Sequence, residues 1–220
     1  MRSNPRISLN KLAEYIVARP ARQRTIIKDQ KHPSDFIVAR YRLAEEAIRS
    51  FILQPQTNSL QNAISTISAL AHNSDWSKQN AELCQDALIY FMTLKDRLTF
   101  DGLLPSLGSD NAPKMHVSGV DISVRPDILL NDSHGNIVGA LKLYINKSFP
   151  LNDESGKYIS TVLYRYIADN ISSESNASPQ LCIVVDVFAQ HIYQAAKTYK
   201  RSMSDIQAAC ETISILWTAL

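Results

Sequence analysis

The sequence contains no apolar run of the roughly 18 residues that a membrane-spanning helix requires. Its first 17 residues have charges scattered among them and lack the continuous apolar segment of a secretory signal. We therefore expect a cytoplasmic protein with no membrane partner. The hydrophobic content of 45% and the charged content of 20% are ordinary for a globular chain and argue against global disorder.

Cysteine is scarce, and the usual catalytic signatures are absent. The three cysteines, Cys84, Cys182 and Cys210, stand far apart in apolar stretches, whereas a zinc site needs closely spaced ligands. We expect all three to be small buried hydrophobic residues. No GxGxxG, P-loop, GxSxG or HExxH pattern occurs, so nothing favours a nucleotide oxidoreductase, a kinase, a serine hydrolase or a zinc protease.

The charge is small overall but unevenly distributed. The net charge is +2, yet residues 1–50 hold 11 Lys and Arg against 5 Asp and Glu. An excess of this kind suggests an acidic partner, most often nucleic acid, although basic helices are equally often just solvated faces. The candidate nucleic-acid-binding residues are those of one short basic stretch: Arg19, Arg22, Arg24, Lys28 and Lys31.

The first part of the chain has the apolar spacing of helices. Ser8 is a candidate cap for a helix that ends before Pro20, and a second helix is expected over 21–30. Ser34 is a candidate cap for a longer helix that includes Phe36 and Ile37 and ends at Gln54-Pro55. Two more helices, over 58–72 and 77–98, are separated by Asn73-Ser74-Asp75. We therefore expect residues 1–76 to form a helical, basic N-terminal region.

The composition changes after residue 99. Residues 100–114 are rich in Gly, Pro, Ser, Asp and Asn, which predicts a loop. Alternating apolar runs over 115–130 and 137–145 flank the turn 132–136 and predict an antiparallel hairpin. A helix over 152–171, a buried strand over 180–188 and a final helix over 202–217 follow. We expect the last strand to join the sheet of the hairpin, and the whole chain to have an α+β fold.

The order helix, hairpin, helix, strand, helix, with Pro126-Asp127 on one hairpin strand and Lys142 on the other, resembles the PD-(D/E)XK nuclease superfamily. The resemblance covers residues 77–220 and implies a small restriction-endonuclease-like α/β domain. It also implies a helix, three strands, a helix and a strand as the core, with the first strand either the short stretch before Gly119 or part of a bent 115–130 run. In such a site a magnesium-type cation bound by carboxylates activates water against a phosphodiester, and a lysine stabilises the developing charge.

The alternation of side chains in strands allows a site at these positions. In an unbroken strand Asp121 and Asp127 share a face, and Lys142 can meet Asp127 if the register of the hairpin allows it. The resemblance thus implies Asp127 and Lys142 as catalytic residues, Asp127 and Asp121 as metal ligands, and Mg²⁺ as the cofactor. Alanine at position 127 or 142 is expected to abolish activity and leave the fold intact.

One position departs from the superfamily's motif. The acid that stands two residues before the lysine is replaced by Ala140, which removes a metal ligand. The candidate replacements are Glu82, as an accessory acid on a helix, together with Asp121, Asp153 and Glu154.

Two functions remain open from the sequence. The first is a nucleic-acid-acting or nucleic-acid-binding protein of a mobile-element or bacterial defence setting, either an active metal-dependent nuclease or a binding-only descendant. The alternative is a catalytically inactive protein-interaction or regulatory subunit, with a protein partner or a second copy of the chain as its ligand.

Overall fold

The computed structural model describes residues 2–33, 40–70 and 74–220. The proposed helix start at Ser34, with Phe36 and Ile37, and the turn residue Asn73 lie outside the described residues. Within them the chain has an α+β fold, as predicted, with helices packed against mixed sheets. No helix among the described residues is long and apolar enough to cross a membrane.

The helices follow the apolar pattern of the sequence. They are α1 (Leu9–Val17), α2 (Pro20–Lys31), α3 (Arg42–Leu53), α4 (Ser59–Ser68), α5 (Asp75–Leu94), α6 (Asp153–Tyr166) and α7 (Lys200–Ala219). Short 3₁₀ turns follow α5 and precede the strand at Cys182, and a π turn over Ile167–Ile171 extends α6.

Side-chain caps fix where several helices begin. The Ser8 hydroxyl accepts a hydrogen bond from the Lys11 N–H at 3.3 Å, which confirms the predicted cap of α1. The Asn152 side chain accepts from the Ser155 N–H at 2.8 Å at the start of α6. Such caps satisfy N–H groups that have no partner within the helix.

Eight strands form two sheets in the described part of the chain. They are β1 (Arg6–Ser8), β2 (Leu104–Leu107), β3 (Met115–Val117), β4 (Val120–Ser123), β5 (Ile128–Asn131), β6 (Ile137–Tyr144), β7 (Cys182–Asp186) and β8 (His191–Gln194). The small sheet has the order β1-β4-β3, and the large sheet has the order β2-β5-β6-β7-β8.

The large sheet contains the predicted hairpin. Strand β5 pairs antiparallel with β6, with Ile128 opposite Leu141, and β7 pairs parallel with β6 in the same sheet. The predicted placement of the 180–188 strand is therefore confirmed. The loop expected over 100–114 contains β2, which pairs antiparallel with β5 and forms one edge of the sheet.

The alternation of side chains over 115–130 suggested a single strand. In the structure this run is not one strand. Arg125 has a φ of +46°, a left-handed conformation that interrupts a strand, and Pro126 has no N–H to donate to a ladder. Strand β4 therefore belongs to the small sheet, where β3 pairs with it, and only β5 enters the large sheet.

Each face of the large sheet has its own core. On one face Leu141 and Leu143 pack with apolar residues of α3, α4 and α5. On the other face Ala140 and Tyr144 pack with α1, α6, α7 and the small sheet. Residues before position 76 contribute to both cores, and β1 pairs parallel with β4. The N-terminal region is thus part of the same packed structure, because its amphipathic helices bury their apolar stripes against the sheets.

Gly108 gives a test of how tightly the end of β2 packs. Its N–H donates to the Asp127 carbonyl at 3.1 Å, and a Cβ at this position would overlap the Pro126 carbonyl oxygen. We predict that Gly108→Ala lowers the free energy of unfolding by about 2–3 kcal/mol, as overpacking does elsewhere. Urea denaturation measures the change, with the exposed Asn111→Ala of the same loop as control. A Gly108→Ala protein as stable as the control would contradict this packing.

Candidate functional site

Asp127 and Lys142 meet where β5 begins. Strand β5 begins at Ile128, which pairs with Leu141, so Asp127 lies just before the ladder and beside Lys142. The Lys142 Nζ lies 2.7 Å from the Asp127 Oδ2, with side-chain exposures of 15% and 8%. The structure thus has the register that the sequence left open, and the two charges form a largely buried ion pair.

Asp127 is also bound to the backbone of β6. Its N–H donates to the Leu141 carbonyl at 2.9 Å, and its Oδ2 accepts from the Leu143 N–H at 2.8 Å. Its other oxygen, Oδ1, makes no hydrogen bond within the described ranges. One carboxylate oxygen is therefore occupied by structural bonds, and the second has no partner among these residues.

A second carboxyl group acts on this pair. Glu45 of α3 is half-buried. Burial raises the pKa of the Glu45 carboxyl, and the negative charge of Asp127 raises it further, whereas Lys142 and Arg49 oppose the shift. Two carboxyl groups and one ammonium group therefore share one electrostatic neighbourhood.

Sequence reasoning missed Glu45. The signal was present, since Glu45 directly follows Ala44 of the buried stripe that also includes Ile48 and Ile52. An acid at the border of an apolar stripe faces the protein rather than solvent. The prediction considered Glu82 on α5, the helix nearest in sequence to the strands. Glu45 lies instead on α3, the helix beside β2.

The structure does not bring Glu82 or Asp121 to Asp127. Glu82 is exposed on α5, whose buried side consists of residues such as Ala81, Cys84 and Leu88. Asp121 lies on β4 of the small sheet and contacts Lys114 and His116. The proposed sharing of a face by Asp121 and Asp127 was wrong because the break at Arg125-Pro126 separates their strands.

Two other acids, Glu154 and Asp186, have structural partners. Glu154, like Asp153, lies in the first turn of α6, where its carboxylate accepts from the Tyr158 hydroxyl at 3.3 Å. The buried Asp186 accepts from the N–H groups of Leu151 and Ala189 at 2.6 and 3.0 Å. Asp186 therefore fixes the loop before α6.

Ala140 lies within the apolar core. It is fully buried and pairs with Leu129 on one side and Cys182 on the other. An ionised acid at such a position would lose its hydration, which explains why an apolar residue fits there. The three cysteines are buried and free, as predicted. No group of three or more His, Cys, Asp or Glu side chains that could hold a metal ion occurs among the described residues.

The basic stretch divides into cations with a partner among the described residues and cations without one there. Arg22 contacts Glu14 at 2.6 Å, and the Lys31 ammonium donates to the Trp217 carbonyl at 2.7 Å. Arg19, Arg24 and Lys28 are exposed, because the buried side of α2 consists of Ile26 and Ile27. Two of the five proposed contacts to nucleic acid thus have roles within the protein.

No protein-family model matches the chain, and no curated protein matches its sequence.

We predict that Glu45→Gln stabilises the protein at neutral pH. A carboxyl whose pKa is raised by folding costs stability once the pH exceeds its ordinary pKa of about 4.5, and the full cost applies above the raised value. The free energy of unfolding of Glu45→Gln should therefore exceed that of the wild type at pH 7.5 and approach it near pH 4. Urea denaturation at both values measures this, with the exposed neighbour in Glu46→Gln as control. A Glu45→Gln protein less stable than the wild type at pH 7.5 would contradict the electrostatic coupling.

We predict that Asp127→Ala lowers the free energy of unfolding by about 3–5 kcal/mol, because it leaves the Lys142 ammonium buried without a partner. The burial of the pair thus removes the expectation that alanine leaves the fold intact. Asp127→Asn keeps an acceptor for the Leu143 N–H and should cost less. Urea denaturation tests both, with the exposed Asp86–Lys147 pair as control: Asp86→Ala should cost below about 1 kcal/mol. Equal losses for Asp127→Ala and Asp86→Ala would argue against a buried pair.

Proposed function

We propose that the protein acts on nucleic acid through a nuclease-like site composed of Glu45, Asp127 and Lys142. The contact of 2.7 Å between Asp127 and Lys142, whose charges both act on the half-buried Glu45 carboxyl, is the observation that supports this most directly. A carboxyl group with a perturbed pKa beside a lysine is typical of functional sites. In this proposal Glu45 supplies the carboxylate that Ala140 lacks.

Further support comes from the order of the elements. Helix α5, strands β2, β5 and β6, helix α6 and strand β7 follow one another, and all four strands belong to the large sheet. This is the order that the resemblance to PD-(D/E)XK nucleases implies, but with β2 as the first core strand in place of the expected stretch before Gly119, which belongs to the small sheet. The chain interposes β3 and β4 between the first and second core strands.

The donor set fits a magnesium-type cation. Mg²⁺ is commonly bound by one or two carboxylates together with waters and substrate phosphates, and Asp127 Oδ1 and the Glu45 carboxylate are of this type. A bound cation would polarise the phosphodiester and lower the pKa of a water molecule. The Lys142 ammonium has three donors and uses one on Asp127, so it has donors left for negative charge that develops on the phosphate.

A protein-interaction subunit is the second candidate. Strand β2 is an edge of the large sheet and exposes Leu104 and Leu107 at 61% and 56%. An exposed edge strand with apolar side chains can accept a strand from a partner. Such a partner would be a protein or a second copy of the chain, and the ion pair would then be purely structural.

Cleavage assays on the full chain separate these functions. We expect single- or double-stranded DNA or RNA to be cut with Mg²⁺ or Mn²⁺ and not with a chelator. Glu45→Gln and Asp127→Asn should each lower the rate at least about 100-fold, a common loss for an electrostatic catalytic group. Glu46→Gln is the matched control and should cut at the wild-type rate.

Two outcomes would contradict the active site. Cleavage that needs no metal, or cleavage that both substitutions leave unchanged, rules out the three residues as its source. Binding without any cleavage leaves the binding-only form of the proposal, and a chain that neither cuts nor binds any of these nucleic acids favours the protein-interaction subunit.

A further inference from the structure

The small sheet has one buried face and one polar face. Ile7, Ile122 and Met115 point into the core, whereas their neighbours point outwards. The outward side chains, called here the polar sheet face, are Arg6, Ser8, His116, Asp121 and Ser123. Arg6 and His116 are both paired with Asp121, and Ser8 is paired with Ser123. The five side chains therefore form two adjacent rows across the strands.

Two more arginines lie beside Arg6. The Arg2 N–H donates to the Lys31 carbonyl at 2.9 Å, and its guanidinium donates to the Gln30 carbonyl at 3.2 Å, which fixes it at the end of α2. Partial burial lowers the pKa of Arg6, and the positive charges of Arg2 and Arg125 lower it further. Arg6 thus lies in the positive field of two other guanidinium groups at the edge of the polar sheet face.

The carboxylate at this place is already shared. Asp121 acts on Arg6, but its oxygens contact Lys114 at 3.5 Å and His116 at 3.2 Å. Among the described residues whose charge acts on Arg6, Arg2 and Arg125 are positive and only Asp121 is negative. Because like charges destabilise one another, a bound anion would relieve the repulsion.

We propose that the polar sheet face, together with Arg2 and Arg125, binds the phosphate backbone of a nucleic acid. Arginine and serine side chains are common phosphate contacts. Contacts to phosphate carry no sequence information, so the proposed binding is independent of sequence.

The position of Arg125 connects this surface to the candidate site. Only Pro126 separates Arg125 from Asp127, so their Cα atoms lie within about 7 Å of each other. A backbone that lies on the polar sheet face and contacts Arg125 therefore continues towards Asp127. In this respect the inference rests on the proposed function and names a surface that presents the substrate to that site.

Equilibrium binding in chelator, where no metal-dependent cleavage occurs, tests the inference. The probes are fluorescently labelled 20-residue single- and double-stranded DNA and single-stranded RNA, measured by anisotropy over a salt series. We expect Arg6→Gln with Arg125→Gln to weaken binding about tenfold at low salt and to reduce the salt slope by about 2, one for each phosphate contact. Asp121→Asn should tighten binding, because it removes the opposing charge, and a misfolded protein would not give this gain.

Matched controls identify the surface. Lys78→Gln with Lys197→Gln removes two exposed cations elsewhere and should leave the affinity within about twofold of the wild type. Arg24→Gln with Lys28→Gln tests the exposed side of α2. Loss of binding in the α2 variant with none in Arg6→Gln/Arg125→Gln, or no gain in Asp121→Asn, would overturn the inference.

Inorganic phosphate as a competitor separates a polymer from a free anion. Displacement of the probe by millimolar phosphate at constant ionic strength would indicate a site for a small anion and would contradict the backbone assignment. The cleavage assays test the proposed function separately. If the protein cuts nucleic acid and the Arg6→Gln/Arg125→Gln variant binds it as tightly as the wild type, only this inference is disproved.

Discussion

The ion pair between Lys142 and Asp127 links three strands of the large sheet. Asp127 accepts from Gly108 at the end of β2 through its carbonyl, and from Leu143 of β6 through its carboxylate. An ammonium group at 15% exposure needs a negative partner, since a buried unpaired charge is costly. The position of Asp127 is therefore set by β6, and the chain before it must turn sharply at Arg125-Pro126 to reach it. That turn is what divides the strands between two sheets.

The buried Glu14 and the half-buried Glu45 show how differently the protein treats its charges. Glu14 lies between Lys11 and Arg22, and although burial raises its pKa, the hydrogen bonds from these cations outweigh burial and lower it. Glu45 has the opposite balance, because burial and Asp127 together outweigh Lys142 and Arg49. Glu14 is thus compensated and structural. Glu45 is held at a cost to stability, which is common at sites that await a cation or a substrate.

The sequence predicted the long, strongly periodic elements. Apolar spacing and a cap predicted α1, the spacing of basic residues predicted α2, a cap predicted α6, and the alternation around residues 132–136 predicted the β5–β6 hairpin. The sequence could not predict β1, β2 and β8, because strands of three or four residues have too few positions for an alternation to stand out. Their formation depends on pairing with distant strands.

The candidate site was predictable to a similar degree. Asp127 and Lys142 were recognisable as an acid and a lysine that alternation allows to meet, but only the register decides whether they do. The prediction for Asp121 was wrong because side chains alternate between the two faces only within an unbroken strand. Glu45 was missed because its place beside Asp127 comes from the packing of α3 on the sheet, which no local pattern contains.

The parallel pairing of β1 with β4 has a consequence for how the chain reaches its native state. Arg6 pairs with Asp121, which is 115 positions later in the chain. During synthesis the first strand leaves the ribosome long before its partner exists, so residues 6–8 wait without a ladder while α1 and α2 form behind them. Closing so long a loop is entropically costly, and proteins rich in such distant contacts fold slowly. The small sheet is therefore among the last parts of the molecule to assemble, and the arginines of the N-terminal segment gather only when folding is nearly complete.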